Sequence, residues 1–200
     1  MRPTVYIVDD DPDINRAIAQ LVKLIHLNVE SYTSANDFLA AFQRTGPACL
    51  VLDIRMPGMS GLELQRELVR SGNELPTIMI TGHGDIRMAV EAMKAGAVEF
   101  LEKPFRMQEL CDSIQRAARL DEERWQRRKE REKVDHRLDD LTSAERNVMG
   151  LVVLGKTNKA IAEELGLSVR AIEDRRARMM RKLGVKTRAE LLELATVASA

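Results

Sequence analysis

The sequence predicts two fold classes in succession. An α/β half, with a parallel sheet covered by helices on both faces, is followed by an all-α half, and a long charged helix joins them. Three observations predict this. Short apolar runs alternate with amphipathic stretches through the first 105 residues. From about Arg106 the strand pattern stops and does not return. Charge is also unevenly spread: the chain sums to zero, with 31 basic and 31 acidic residues, yet residues 1–118 carry 12 Lys/Arg against 16 Asp/Glu. Residues 119–140 carry 8 of each, and residues 141–200 carry 11 against 7. Such asymmetry between halves suggests that one end meets nucleic acid.

In chain order, Val5-Tyr6-Ile7-Val8 reads as a buried strand. Asp11-Pro12 then gives an N-cap and first-turn proline for a helix to about Ile25. Asn28 to Tyr32 is a second strand, and Ser34 to Phe42 a helix stopped by Thr45-Gly46-Pro47. Cys49 to Leu52 is the most apolar strand. Ser60-Gly61-Leu62-Glu63 is a capping box for a helix to Arg70. Thr77 to Ile80 is the fourth strand, Asp85 caps a helix to about Ala95, and Val98 to Leu101 is the fifth strand. Five strand–helix units in alternation give a parallel sheet with helices on both faces.

Beyond it, Leu110, Ile114, Ala117 and Ala118 form an apolar stripe at helical spacing, and Asp121 to Lys133 is almost wholly charged. No Gly or Pro falls between Pro104 and Gly150. Residues 119–140 therefore read as one long helical linker, or alternatively as a solvated, partly frayed one; Val134, Leu138 and Leu141 have the 4–3 spacing of a short dimeric coiled coil. Capping boxes at Thr142–Glu145 and Thr187–Glu190 open the first and last of four C-terminal helices. Between them, Asn158 to Leu165, Gly166, and a helix from Ser168 to Leu183 form a short helix, glycine turn and longer basic helix, a helix-turn-helix pattern.

Composition removes other classes. Cys49 and Cys111 have no CxxC partner, so neither a disulfide framework nor a zinc site is expected. The opening residues lack a signal-peptide pattern, and no apolar run is long enough to span a bilayer, so a soluble, cytoplasmic protein is expected.

Asp9 and Asp10 follow the first strand and Asp53 the third, at the edge where open parallel sheets gather ligands. Carboxylates brought together there need a hard cation, and magnesium takes such oxygen ligands. Thr81 after the fourth strand offers a hydroxyl, and Lys103 after the fifth offers an ammonium. A nucleophile, a cation site, a donor and a positive charge on one edge suit phosphoryl chemistry.

These residues resemble the receiver domain of two-component response regulators: Val8-Asp9-Asp10-Asp11, the run from Leu52 to Gly61, Thr81-Gly82-His83-Gly84-Asp85, and Lys103-Pro104-Phe105. The resemblance implies a flavodoxin-like five-stranded parallel sheet of order 2-1-3-4-5 over residues 1–118. It implies that Asp53 is the phosphoacceptor, and that Asp9, Asp10, Asp53 and the Arg55 main-chain carbonyl hold Mg2+. By the same resemblance Thr81 and Phe100 are switch residues and Lys103 contacts the phosphoryl group. His83 and Arg55 would tune phosphoryl lifetime. The implied partners are a sensor histidine kinase and, on phosphorylation, a second copy docked through the face of the fourth helix, fifth strand and fifth helix.

Between Arg170 and Arg188 stand eight basic residues and two acidic ones, a density suited to a phosphate backbone. Leu141-Thr142, Asn158-Lys159-Ala160-Ile161-Ala162, Ser168-Val169, Ile172-Glu173 and Lys182-Leu183-Gly184-Val185 resemble the LuxR-type DNA-binding domain, here residues 141–200. With the receiver they identify a regulator similar to the FixJ/NarL family, nearer the FixJ branch. This implies double-stranded DNA as partner, with Lys159, Arg170, Glu173, Arg175 and Arg176 as candidate contacts and RNA polymerase as a further candidate partner. Asp174 and Arg175 depart from the family pattern, and an acid in the groove can accept from cytosine N4 but repels phosphate. A small-molecule phosphatase would want a carboxylate two residues after the nucleophile, where this chain has Arg55, so no enzyme is expected. A protein-only adaptor is the remaining alternative.

Overall fold

The computed structural model describes residues 1–82 and 86–199, except for the side chains of Ile86 and Ser199. His83 and the expected cap Asp85 lie outside the described residues. The chain forms two compact units, Met1–Trp125 and Gln126–Ala200.

In the first unit, β1 (Thr4–Val8), β2 (Asn28–Tyr32), β3 (Ala48–Asp53), β4 (Thr77–Thr81) and β5 (Ala97–Glu102) alternate with α1 (Pro12–Leu24), α2 (Ala35–Ala41), α3 (Gly61–Arg70) and α4 (Ile86–Lys94). α5 (Met107–Asp139) follows. The strands form one parallel sheet of order β2-β1-β3-β4-β5, as expected. Every residue of β3 and β4 is buried, which is why both read as continuous apolar runs.

Alternation along the strands divides the core between two faces. Tyr6, Val8, Leu50, Leu52 and Met79 pack with Phe38 of α2, Leu64 and Leu68 of α3 and Ala92 of α4. Val5, Ile7, Cys49, Val51, Ile78 and Ile80 face Ile18 and Val22 of α1 and Leu110, Ile114, Ala117 and Ala118 of α5. The expected caps are present: Asp11 accepts the Asp13 and Ile14 N–H groups, and Ser60 and Glu63 close a capping box.

The linker is helical up to Asp139, since α5 is continuous from Met107 to Asp139. The coiled-coil expectation needs correction. Val134 and Leu141 are buried and Leu138 is partly buried in the core of the second unit, against Val148, Val152, Ile161, Ile172, Met179, Leu183, Leu191 and Leu194. Those side chains are used within the chain and leave no apolar seam for a partner helix.

The remaining helices are α6 (Ser143–Val153), α7 (Asn158–Leu165), α8 (Val169–Leu183) and α9 (Arg188–Ser199). Thr142 and Glu145 form the expected box. At α9 the reciprocal bond shifts by one residue, and the Glu190 carboxylate accepts the N–H of Lys186. The turn between α7 and α8 rests on Gly166, whose left-handed backbone (φ 63°, ψ 36°) caps α7. Among the described residues, no helix is long and apolar enough to cross a membrane.

Candidate functional site

The sheet order reverses between β1 and β3, and the carboxyl ends of these strands carry Asp9 and Asp53. Both are buried, at 0 % and 3 % exposure. Lys103, just beyond β5, reaches between them: its Nζ donates to Asp9 Oδ2 at 2.7 Å and to Asp53 Oδ1 at 2.6 Å. The other oxygens accept backbone donors, Asp11 N–H on Asp9 Oδ1 at 2.9 Å and Arg55 N–H on Asp53 Oδ2 at 2.7 Å.

Burial pushes the Asp53 carboxyl above its usual range, a shift that Lys103 opposes and Asp9 reinforces. Burial works to lower Lys103, but its hydrogen bonds to Asp53 and Asp9 outweigh this and raise it, so the ammonium is firmly charged. The lysine is thus a fixed cation between two carboxylates in a poorly solvated site.

Gly61, first in α3, lets the helix approach β3. A Cβ there would fall inside the van der Waals sphere of the Asp53 carbonyl oxygen and 3.0 Å from Leu52 Cγ. The Gly61 N–H instead donates to the Ile54 carbonyl at 3.0 Å. Thr81 is fully buried at the end of β4, and its carbonyl accepts the Lys103 N–H at 2.7 Å. Phe100 is half-buried against the core face that includes Met79 and Met88. Of the expected residues, the structure therefore ties Asp9, Asp53, Lys103, Thr81 and the Arg55 backbone into one hydrogen-bonded group. Asp10 is exposed beside it.

Receiver domains generally bind Mg2+, and the donors here fit it. They are oxygen ligands only, and two buried carboxylates with exposed Asp10 adjacent face a single ammonium. Among the described residues, no three His, Cys, Asp or Glu side chains make a ready cage.

In the second unit α8 presents Val169, Arg170, Glu173, Asp174, Ala177 and Arg178 to solvent, while Arg175 and Arg176 are half-buried. Lys159 on α7 is exposed. Arg176 is engaged within the unit, its Nη1 donating to Asn158 Oδ1 at 2.8 Å. Two more of the eight cations are as well. Lys182 Nζ donates to the Asp140 carbonyl at 3.0 Å and to Glu145 Oε2 at 2.8 Å. Arg188 caps α6, donating to the carbonyls of Val152 at 3.1 Å and Val153 at 3.3 Å. Charge counting by residue type missed these roles, as it missed Asp121 of α5, which is fully buried and bonded to Arg44.

Together the two units define a regulator with a receiver domain and a helix-turn-helix domain. Residues 5–115 match the response regulator receiver domain, and residues 139–195 match the bacterial regulatory proteins of the luxR family. The chain belongs to the response regulators of this two-domain type, which are two-component transcriptional regulators rather than catalytic enzymes. It is 40 % identical over 198 residues to the transcriptional regulatory protein FixJ of Rhizobium meliloti, covering 96 % of this chain and 94 % of that one. It is 40 % identical over 190 residues to the response regulator protein TodT of Pseudomonas putida, covering 95 % and 84 %. Among solved structures, the response regulator StyR superposes with a TM-score of 0.92 at 41 % identity, covering 98 % of this chain and 99 % of that one.

Proposed function

We propose that Asp53 accepts a phosphoryl group from a sensor histidine kinase and that the resulting shift in the receiver promotes DNA binding through α8. The observation that carries this reading is Lys103 Nζ bridging Asp9 and Asp53 at the reversal point of the sheet, in a chain whose second unit carries the basic helix α8.

The burial that raises the Asp53 carboxyl also makes its carboxylate a better nucleophile. An oxygen of Asp53 attacks phosphorus, the bond to the donor imidazole nitrogen breaks, and Lys103 balances charge on the transferred oxygens. Asp9, Asp10, Asp53 and the Arg55 carbonyl would hold Mg2+, which supplies charge neutralisation of the phosphoryl oxygens when bound.

Phosphorylation adds about −1.5 to −2 charge, taking phosphoserine as a guide. The new oxygens draw Lys103 and the Thr81 hydroxyl toward Asp53. Because the Thr81 carbonyl accepts the Lys103 N–H, the ends of β4 and β5 respond together. Phe100, half-buried next to this edge, turns further inward, and the α4–β5–α5 face changes shape. Val90 and Met93 of α4 and Met107 at the start of α5 are exposed apolar side chains on that face, which supports its use in a homodimer. Two copies then place two α8 helices on paired half-sites, where Lys159, Arg170 and Arg175 meet phosphates and Glu173 faces bases, while Arg176 stays bonded to Asn158.

Genome-wide DNA occupancy of the wild type and of Asp53→Ala tests the reading in cells. Discrete sites that weaken in the variant are expected. Identical occupancy would remove phosphorylation control, and absence of any sites would favour a protein-only adaptor.

A further inference from the structure

Asp121 is 0 % exposed, although it lies past residue 115, where the match to the receiver family ends. Its position on α5 explains the burial. Leu110, Ile114, Ala117 and Ala118 form the inward face of the helix, and Asp121 and Trp125 continue that face at helical spacing. A carboxylate thus arrives where the pattern calls for an apolar residue, and three contacts receive it. Arg44 Nη2 lies 2.6 Å from each Asp121 oxygen, and the Ala48 N–H donates to Oδ2 at 2.7 Å. The Arg44 guanidinium carbon sits 5.3 Å from the Trp125 ring centroid.

The Arg44 side chain is 7 % exposed, and its Nε and Nη1 find no hydrogen-bond partner among the described residues. Asp121 is therefore the anion that compensates a cation withheld from water. A buried ion pair adds little stability over an apolar pair of equal size, but its geometry is exacting and its rupture is costly. Here it fixes α5 to Ala48, the first residue of β3, whose last residue is Asp53.

We propose that this pin is where the receiver grips its outgoing helix. Asp121 acts as a positioning residue that makes residues 119–125 move with the receiver body, so that a phosphorylation-linked shift enters the helix instead of dissipating in a fraying linker. The proposal rests on the reading of Asp53 as phosphoacceptor.

Three full-length proteins test it: wild type, Asp121→Asn, and Arg44→Met/Asp121→Asn. Asparagine keeps an oxygen for the Ala48 N–H, the single variant strands the Arg44 cation, and the double variant removes both charges. Amide exchange over residues 119–125, the Tm, and the gain in DNA affinity on adding beryllofluoride are measured. The DNA is a duplex selected from a random-sequence pool by the beryllofluoride-loaded wild type. Asp121→Asn should exchange about tenfold faster or more across this segment and lose most of the affinity gain. The double variant should recover the wild-type Tm and neither of the other two.

A double variant that regains slow exchange and full gain overturns the proposal, because the pin would then be merely structural. Unchanged exchange in the single variant, or fast exchange with undiminished gain, overturns it equally. If the single variant does not fold, the double variant decides alone. Phosphoryl uptake from acetyl phosphate should stay within about twofold of wild type in both variants, as expected for a distant site. A wild type with no beryllofluoride gain would instead refute the phosphoacceptor reading underneath.

Discussion

The salt dependence of DNA binding follows from which cations of the second unit are already committed. Of the eight basic residues between Arg170 and Arg188, Arg176, Lys182 and Arg188 are bonded to Asn158, to Asp140 and Glu145, and to the end of α6. Arg170, Arg175, Arg178, Arg181 and Lys186 are left for phosphates, and exposed Lys159 on α7 joins them. Six phosphate contacts give a slope of log affinity against log salt of about −5.4 per bound protomer, or about 2,000-fold weaker binding between about 50 and about 200 mM salt. All eight cations and Lys159 together would give about −8. Fluorescence anisotropy on a labelled duplex across a salt series, with stoichiometry fixed by titration, measures the slope. Arg178→Ala should flatten it by about 0.9. Lys182→Ala and Arg188→Ala should leave the slope alone and lower the Tm of the second unit. A slope near −8, or a Lys182→Ala variant with normal stability and a flatter slope, would refute the assignment of these side chains to internal bonds.

Further perturbations probe the receiver and the cap of α6. Lys103→Met removes two charge-assisted hydrogen bonds from buried carboxylates and should cost about 3–5 kcal/mol near neutral pH. Asp53, already raised by burial, rises further once the ammonium is gone. Its cost is full above its folded pKa and shrinks as pH falls toward the unfolded value of about 4, so urea titrations should show the variant approaching wild type in acid; equal stability near neutral pH would count against it. Gly61→Ala presses a Cβ onto the Asp53 carbonyl and should cost about 1–3 kcal/mol while slowing phosphoryl uptake from acetyl phosphate; an unchanged Tm would show that β3 yields easily. Glu145 is held down to about 2 by Lys182, with further bonds from Thr142. Its contribution is complete above the unfolded carboxyl range and is lost as pH falls from about 4.5 to about 2. Thermal melts of Glu145→Gln should therefore differ from wild type near neutral pH and converge with it in that acid window.

The features legible in the sequence are those whose signal is local. Asp9, Asp53, Thr81 and Lys103 each sit at the end of an apolar run, so the alternation that predicts the sheet also predicts their meeting at one edge. Ser60 with Glu63 and Thr142 with Glu145 are capping boxes because residues three apart at a helix start can each accept the other's backbone N–H, and both form. Tertiary pairing has no such local sign. Arg44 and Asp121 are far apart in the chain, and within a charged run the type of residue 121 suggests a solvated face. Its spacing from Leu110, Ile114 and Ala118 was the available clue. Val134, Leu138 and Leu141 likewise gave a correct apolar stripe, but the stripe does not say whether another chain or α6 to α9 covers it. The basic count around α8 was right as charge and wrong as availability, since only the fold shows that Arg188 faces the end of α6.

The most direct test of phosphorylation control is the affinity of the full-length protein for a selected duplex, with and without beryllofluoride, for wild type and for Asp53→Ala. A coupling free energy typical of two-state regulation predicts a gain of about 5–150-fold for the wild type and none for the variant. Equal gains in the two proteins, or no gain in the wild type, would contradict the account.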